Sequence, residues 1–136
     1  MIEKDRKNCG VILSGGKSKR MAGKDKAFLK IGNKALLERV IENLDKQVDI
    51  LAINTNSIDQ SYHKYGLPVL KDFVSGYLGP LAGLLTSMSW AEEKGYENVV
   101  TVAVDTPFFP SDFVNRMIEE MTKSQAKIVL ARSFSI

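Results

Sequence analysis

Short β-type apolar runs that each stop at polar or glycine residues constrain this chain most. "CGVIL" (Cys9–Leu13) stops at Ser14-Gly15-Gly16, "VDILAIN" (Val48–Asn54) runs into Thr55-Asn56, and "NVVTVAV" (Asn98–Val104) stops at Asp105-Thr106-Pro107. Apolar runs bounded by turn formers fit strands buried on both faces of a parallel sheet. Helical stripes lie between them. In "ALLERVIENLDK" the residues Leu36, Leu37, Val40, Ile41 and Leu44 share one face. Leu81, Leu84, Leu85, Met88 and Ala91 recur at helical spacing and predict a second inward face, with Gly95 as the C-cap residue. Phe113, Val114, Met117, Ile118 and Met121 predict a third helix, opening near Pro110 with Ser111 as its cap. "LPVL" (Leu67–Leu70) reads as a short strand that Pro68 assigns to an edge, and "KIVLA" (Lys127–Ala131) reads as a last strand. The polar "TNSIDQSYHKYG" reads as a loop or a short irregular helix. This alternation predicts one domain over residues 1–136: an α/β chain, folded as an open three-layer α/β/α sandwich around a mostly parallel, Rossmann-like sheet.

Composition narrows the class. With 44% hydrophobic and 26% charged residues the chain is an ordinary globular one, not a disordered one. Its net charge of +3 hides an asymmetry: Lys17, Lys19, Arg20, Lys24, Lys26, Lys30 and Lys34 face a single acid, Asp25, in that segment. A local basic patch suggests an anionic ligand. No aromatic platform is interleaved with it, so nucleic acid is not expected. The single cysteine, Cys9, excludes an internal disulfide and a cysteine-based zinc site, and reads as a small buried residue. One histidine, His63, cannot build a metal cage. The charged N-terminus lacks a signal-peptide core and no run is long enough for a membrane helix, which points to the cytoplasm and away from the membrane.

In sheets of this kind ligands bind beyond the carboxyl ends of the strands, and three such ends carry Ser14-Gly15-Gly16, Asn54-Thr55-Asn56 and Asp105-Thr106. Gly16-Lys17-Ser18 looks like the end of a Walker loop, but the pattern would need glycine at position 11, where Val stands. The dinucleotide fingerprint G-x-G-x-x-G is also absent from this loop. A different phosphate loop fits better. Adjacent glycines let backbone N–H groups approach an anion, while Arg20 grips phosphate oxygens and Lys26 acts as a mobile point charge.

These residues carry a resemblance. "LSGGKSKRMAGKDKAFLKIGNKALLERV" resembles the N-terminal signature of the nucleotidyltransferases that include molybdenum cofactor guanylyltransferase, and "INTN", "GYLGPLAGLLTSM" and "VAVDTPFFPSDFV" follow in the family's order. The double glycine, the G-P-L-A-G segment and D-T-P-F-F-P together point to the guanylyl member. Sister families often have Ala-Gly in place of Gly15-Gly16.

The resemblance implies the nucleotide-diphospho-sugar transferase type of fold and a reaction in which GMP moves from GTP to molybdopterin-bound molybdenum cofactor, releasing pyrophosphate. It implies that Leu13, Ser14 and Gly15 cradle the nucleotide and that Gly16 lets the loop turn. Arg20 and Lys26 then meet the phosphates, Asn54 and Asp72 contact the nucleotide, and Gly79, Pro80 and Gly83 shape the adjoining helix start. Asp105 is implied as the Mg²⁺ ligand; Arg20, Lys26 and Asp105 would be the catalytic set. Each has a plainer reading: Asp105 as a turn cap, Asp72 as a partner of Lys71, Asn54 and Asn56 as turn residues, Pro80 and Gly83 as helix starters. Phe108 and Phe109 read as core. Family members continue past the length of this chain, which ends at "RSFSI". The expectation is therefore a nucleotide-binding part, with self-association through an unpaired last strand, or maturation partners among molybdenum enzymes, as partner interactions. The competing expectations are a cytidylyl or sugar-phosphate transferase, separated by base preference, and a non-catalytic GTP-binding module, separated by turnover.

Overall fold

The computed structural model describes residues 8–14, 20–21, 24–73 and 80–131, with the backbone alone for Arg20, Met21, Lys24 and Pro80. In chain order the strands are β1 (Asn8–Leu13), β2 (Arg20–Met21), β3 (Lys24–Asp25), β4 (Lys30–Ile31), β5 (Lys34–Ala35), β6 (Ile50–Asn54), β7 (Val69–Leu70) and β8 (Asn98–Ala103). The helices are α1 (Leu36–Asp45), α2 (Pro80–Glu93) and α3 (Phe113–Ser124), with 3₁₀ turns at Lys26–Phe28 and Gln60–Tyr65.

Four strands form the central sheet in the order β7-β6-β1-β8, and every pairing in it is parallel. The side-chain alternation of the strands sorts the core into two layers. On one face Ile12, Leu51, Ile53, Val100 and Val102 pack with Leu37, Val40 and Leu44 of α1 and Val114 of α3. On the other, Cys9, Val11 and Ala52 pack with Trp90 and Ala91 of α2. This is the three-layer parallel sandwich that the alternation predicts.

Four expectations are corrected. The α2 stripe is turned: of its expected residues Ala91 is buried and Leu84 half-buried, but Leu81, Leu85 and Met88 are exposed, and the buried face is Ala82, Gly83, Thr86, Ser87, Trp90 and Ala91. Polar groups can face the sheet here because their hydroxyls are satisfied, Ser87 Oγ donating to Gly83 O at 2.8 Å and Thr86 Oγ1 to Asp72 Oδ1 at 3.4 Å. Lys127–Ala131 forms no strand; Ile128 and Leu130 are 70% and 85% exposed, with no ladder partner among the described residues. Phe108 is not core but 72% exposed, whereas Phe109 packs on the core against Phe113. Ser111 does not cap α3, whose N-cap position is Asp112. Instead the N–H of Val114 donates to Gln47 Oε1 at 2.9 Å, so the chain just past α1 satisfies the first turn of α3.

The basic segment read as a plain loop contains two antiparallel ribbons, β2–β3 and β4–β5. Gly95 does take the left-handed conformation past α2, at φ +80°. Among the described residues no helix is long and apolar enough to cross a membrane.

Candidate functional site

The sheet register brings the strand ends into one row. Asn54 pairs with Leu70 on one side and Leu13 on the other, and Leu13 pairs with Ala103. Leu70, Asn54, Leu13 and Ala103 thus stand abreast. The next one or two residues of each strand are Lys71-Asp72, Thr55-Asn56, Ser14 and Val104-Asp105, so polar groups from four separate segments emerge along one edge. The Ser14 N–H donates to Asn54 O at 2.8 Å and the Val104 N–H to Leu13 O at 3.1 Å, extending the ladder just past the row.

On the β6–β7 side a carboxylate is held by amides. Asn54, 3% exposed, donates through Nδ2 to Leu70 O at 3.1 Å and to Asp72 Oδ1 at 2.9 Å. Asn56 Nδ2 donates to Asp72 Oδ2 at 3.0 Å, and the Asp72 N–H donates back to Asn56 Oδ1 at 2.9 Å. Gly83 closes this corner: a Cβ there would lie 2.6 Å from Asn54 Oδ1. Lys71 turns to Ser57 O at 3.2 Å and is not the partner of Asp72.

On the β8 side Lys26 Nζ lies 3.2 Å from Asp105 Oδ2, with side chains 38% and 45% exposed. The lysine sits on the 3₁₀ turn at Lys26–Phe28, pinned by Ala27, which is 1% exposed. The structure therefore joins Lys26 to Asp105, joins Asn54 to Asp72, and sets Leu13 and Ser14 between the pairs. Gly15, Gly16 and Gly79 lie outside the described residues, as does the side chain of Arg20; the Arg20 backbone pairs with Asp25 in the β2–β3 ribbon. Pro80 begins α2. A Walker loop would run straight into a helix after Ser18; residues 20–21 and 24–25 are a β-ribbon.

Among the described residues no group of three or more His, Cys, Asp or Glu gathers, and the strand-end carboxylate beside Lys26, Asp105, is a single half-exposed oxygen donor. That donor fits Mg²⁺, which is commonly held by one or two carboxylates with waters and substrate phosphates. It does not fit an all-protein cage.

Beneath the site lies Tyr62, 1% exposed. Its hydroxyl is 2.9 Å from Ser14 Oγ, and Thr55 and Asp25 lie near enough to act on it. Burial pushes this phenol above its ordinary value of 10.0; the hydrogen bonds from Ser14 and Thr55 oppose that, and the charge of Asp25 adds to it. Sequence reasoning missed Tyr62, which sits in a polar stretch with no periodicity, and missed the partnership of Asn56 and Thr86 with Asp72.

Comparisons with known proteins bear on the family and the fold. Residues 10–134 match the family described as the MobA-like NTP transferase domain. A molybdenum cofactor guanylyltransferase of Mesorhizobium japonicum is 40% identical over 125 residues, covering 91% of this chain and 60% of that protein. One from Rhodopseudomonas palustris is 41% identical, covering 90% and 60%. The chain thus spans about three fifths of the length of these relatives. Among solved structures, a CMP:2-keto-3-deoxy-manno-octonic acid synthetase complexed with CTP superposes with a TM-score of 0.68 at 18% identity, over 88% of this chain and 49% of that one. A 4-diphosphocytidyl-2C-methyl-D-erythritol synthase gives 0.63 at 19% identity, over 88% and 56%. At such identities these two structures speak for the fold, and they share the parallel-sheet architecture described above. With the profile match running from the second residue of the central strand's buried run to beyond α3, the chain belongs to the MobA-like NTP transferase domain family.

Proposed function

We propose that this chain binds GTP with Mg²⁺ and forms the nucleotide-binding part of a molybdenum cofactor guanylyltransferase. In that reaction a phosphate oxygen of molybdopterin-bound molybdenum cofactor attacks the α-phosphorus of GTP. A new P–O bond forms as the bond to the β-phosphate oxygen breaks, and pyrophosphate leaves. The substrate supplies the nucleophile, so the protein's task is to align two anions and offset developing charge. The observation that carries the reading is the row of strand ends, with an amide-held carboxylate on one side of Leu13 and Ser14 and a lysine–aspartate pair on the other.

Leu13, Ser14, Gly15 and Gly16 would cradle the nucleotide with backbone groups, and Gly79, Pro80 and Gly83 would shape the wall beside it. Asp72, fixed by Asn54 and Asn56, presents an acceptor to nucleotide N–H or O–H groups. Lys26 and Arg20 would neutralise the phosphates. Asp105 would hold Mg²⁺, which when bound offsets triphosphate charge. In the ligand-free chain Lys26 and Asp105 neutralise each other; a triphosphate draws the ammonium away and frees the carboxylate.

Thermal unfolding with Mg²⁺ plus GTP, CTP or ATP tests the reading. A ligand that binds only the folded state stabilises it by about 2.7 kcal/mol at a hundredfold excess over Kd. Selective stabilisation by GTP is expected. Stabilisation by CTP alone overturns the base assignment, and no shift with any nucleotide overturns nucleotide binding by this chain.

A further inference from the structure

Three pieces of the proposed phosphate site converge on one buried hydroxyl. Ser14 opens the glycine loop, and its Oγ meets Tyr62 Oη at 2.9 Å. Asp25, 8% exposed, lies close enough for its charge to act on the same phenol. Asp25 immediately precedes Lys26, and in the β2–β3 ribbon its backbone pairs with that of Arg20. Thr55, 1% exposed at the end of β6, is the third partner. The ring is held by packing: Phe28 meets it edge-on, with centroids 4.8 Å apart, and Tyr62 belongs to the apolar core around α1. At 1% exposure Tyr62 has no surface to offer a ligand.

We infer that Tyr62 is a positioning residue for phosphate binding: its hydroxyl ties the loop at Ser14 to the Asp25 support of Arg20 and Lys26. The inference rests on the nucleotide-binding reading and deepens it. Backbone donors next to Ser14 and two cationic side chains gain little from being near a triphosphate unless their backbones share one anchor, because ordering each separately costs conformational freedom. Tyr62 supplies that anchor from the 3₁₀ turn at Gln60–Tyr65, on a rigid aromatic stem that reaches under the sheet's ligand edge. Ser and Thr hydroxyls can turn to donate to a phenol oxygen, and a phenol can donate to a carboxylate, so this set of groups is chemically able to bond together.

Tyr62→Phe removes the hydroxyl and keeps the ring against Phe28. Affinities for GTP and guanosine, both with Mg²⁺, are measured on the wild-type and variant chains, with melting curves to verify folding. The expected result is about a tenfold loss for GTP, the scale of one buried hydrogen bond within a network, with guanosine unchanged. An equal loss for both, or none for either, overturns the inference, since a merely structural hydroxyl would not separate phosphate from nucleoside. Amide hydrogen exchange supplies a readout that needs no nucleotide. The variant should exchange faster at Ser14 and Lys26 while α2 keeps its protection; unchanged exchange at Ser14 and Lys26 also overturns the inference. If the wild-type chain binds no GTP, the functional reading falls and the exchange result still decides whether Tyr62 anchors the loop.

Discussion

At the scale of single residues, the proposed site separates groups that fold the chain from exposed groups that do not. Lys26 and Asp105 are each more than a third exposed, and an ion pair of that kind contributes little to stability. Lys26→Ala should therefore shift the unfolding free energy by no more than about 0.5 kcal/mol while sharply weakening GTP relative to guanosine; calorimetric titration against both ligands checks it. An equal loss for both would remove the phosphate role. These two residues were legible in the sequence because the chemistry announces itself: a lysine inside a basic loop, and an aspartate ending a buried run. Asp72 was legible only through the family pattern, since its nearest charge in sequence is Lys71 and its actual partners are amides 16 and 18 positions away. Tyr62 was not legible at all. One aromatic residue among polar neighbours has no period, and its hydroxyl partners come from three other segments.

At the scale of elements, β1, β6, β8 and α1 follow from pattern alone, because their apolar residues outnumber any competing arrangement. Helix α2 does not. Leu81, Leu85 and Met88 advertise a face that ends up in solvent, while Ala82, Gly83, Thr86 and Ser87 turn to the sheet with Trp90. Hydrophobic periodicity counts bulk, and here small size and satisfied hydroxyls decide which face goes in. The requirement is sharpest at Gly83, where a Cβ would press on Asn54 Oδ1 at 2.6 Å. Gly83→Ala should force Asn54 away from Asp72 and cost about 1–3 kcal/mol, the usual scale for overpacking. A lowered urea midpoint with an unchanged slope would show it. A midpoint equal to that of the wild type would mean that α2 slides to make room. The strand expected at Lys127–Ala131 failed for a different reason: a β-type composition describes a segment, but a strand also needs a neighbouring edge to bond to.

At the scale of the whole molecule, burial disfavours the ionised form of three weak acids among the described residues. Burial, as the largest cause, pushes the Cys9 thiol from its ordinary value of 9.0 up to about 11. It likewise raises the Tyr62 and Tyr65 phenols above 10.0. A raised value in the folded state means that the unfolded chain loses these protons first. The Cys9 contribution is full below 9.0 and declines as pH rises toward about 11, and those of the two tyrosines decline as pH rises above 10.0. Urea unfolding at pH 8 and at pH 10.5 should show the folded state weaker at the higher pH, with Tyr62→Phe reducing the difference; equal stability at the two values would contradict the assignment. The sheet order has a further consequence, for the path of folding. Strand β1 lies between β6 and β8, and Asn8 is registered against Asn98. The amino-terminal strand cannot gain its second neighbour until the segment near residue 100 has left the ribosome, and pairings of such long sequence separation are slow to close. The row formed by Leu70, Asn54, Leu13 and Ala103 is complete only when that closure happens, so the proposed nucleotide edge and the centre of the sheet come into being in the same step.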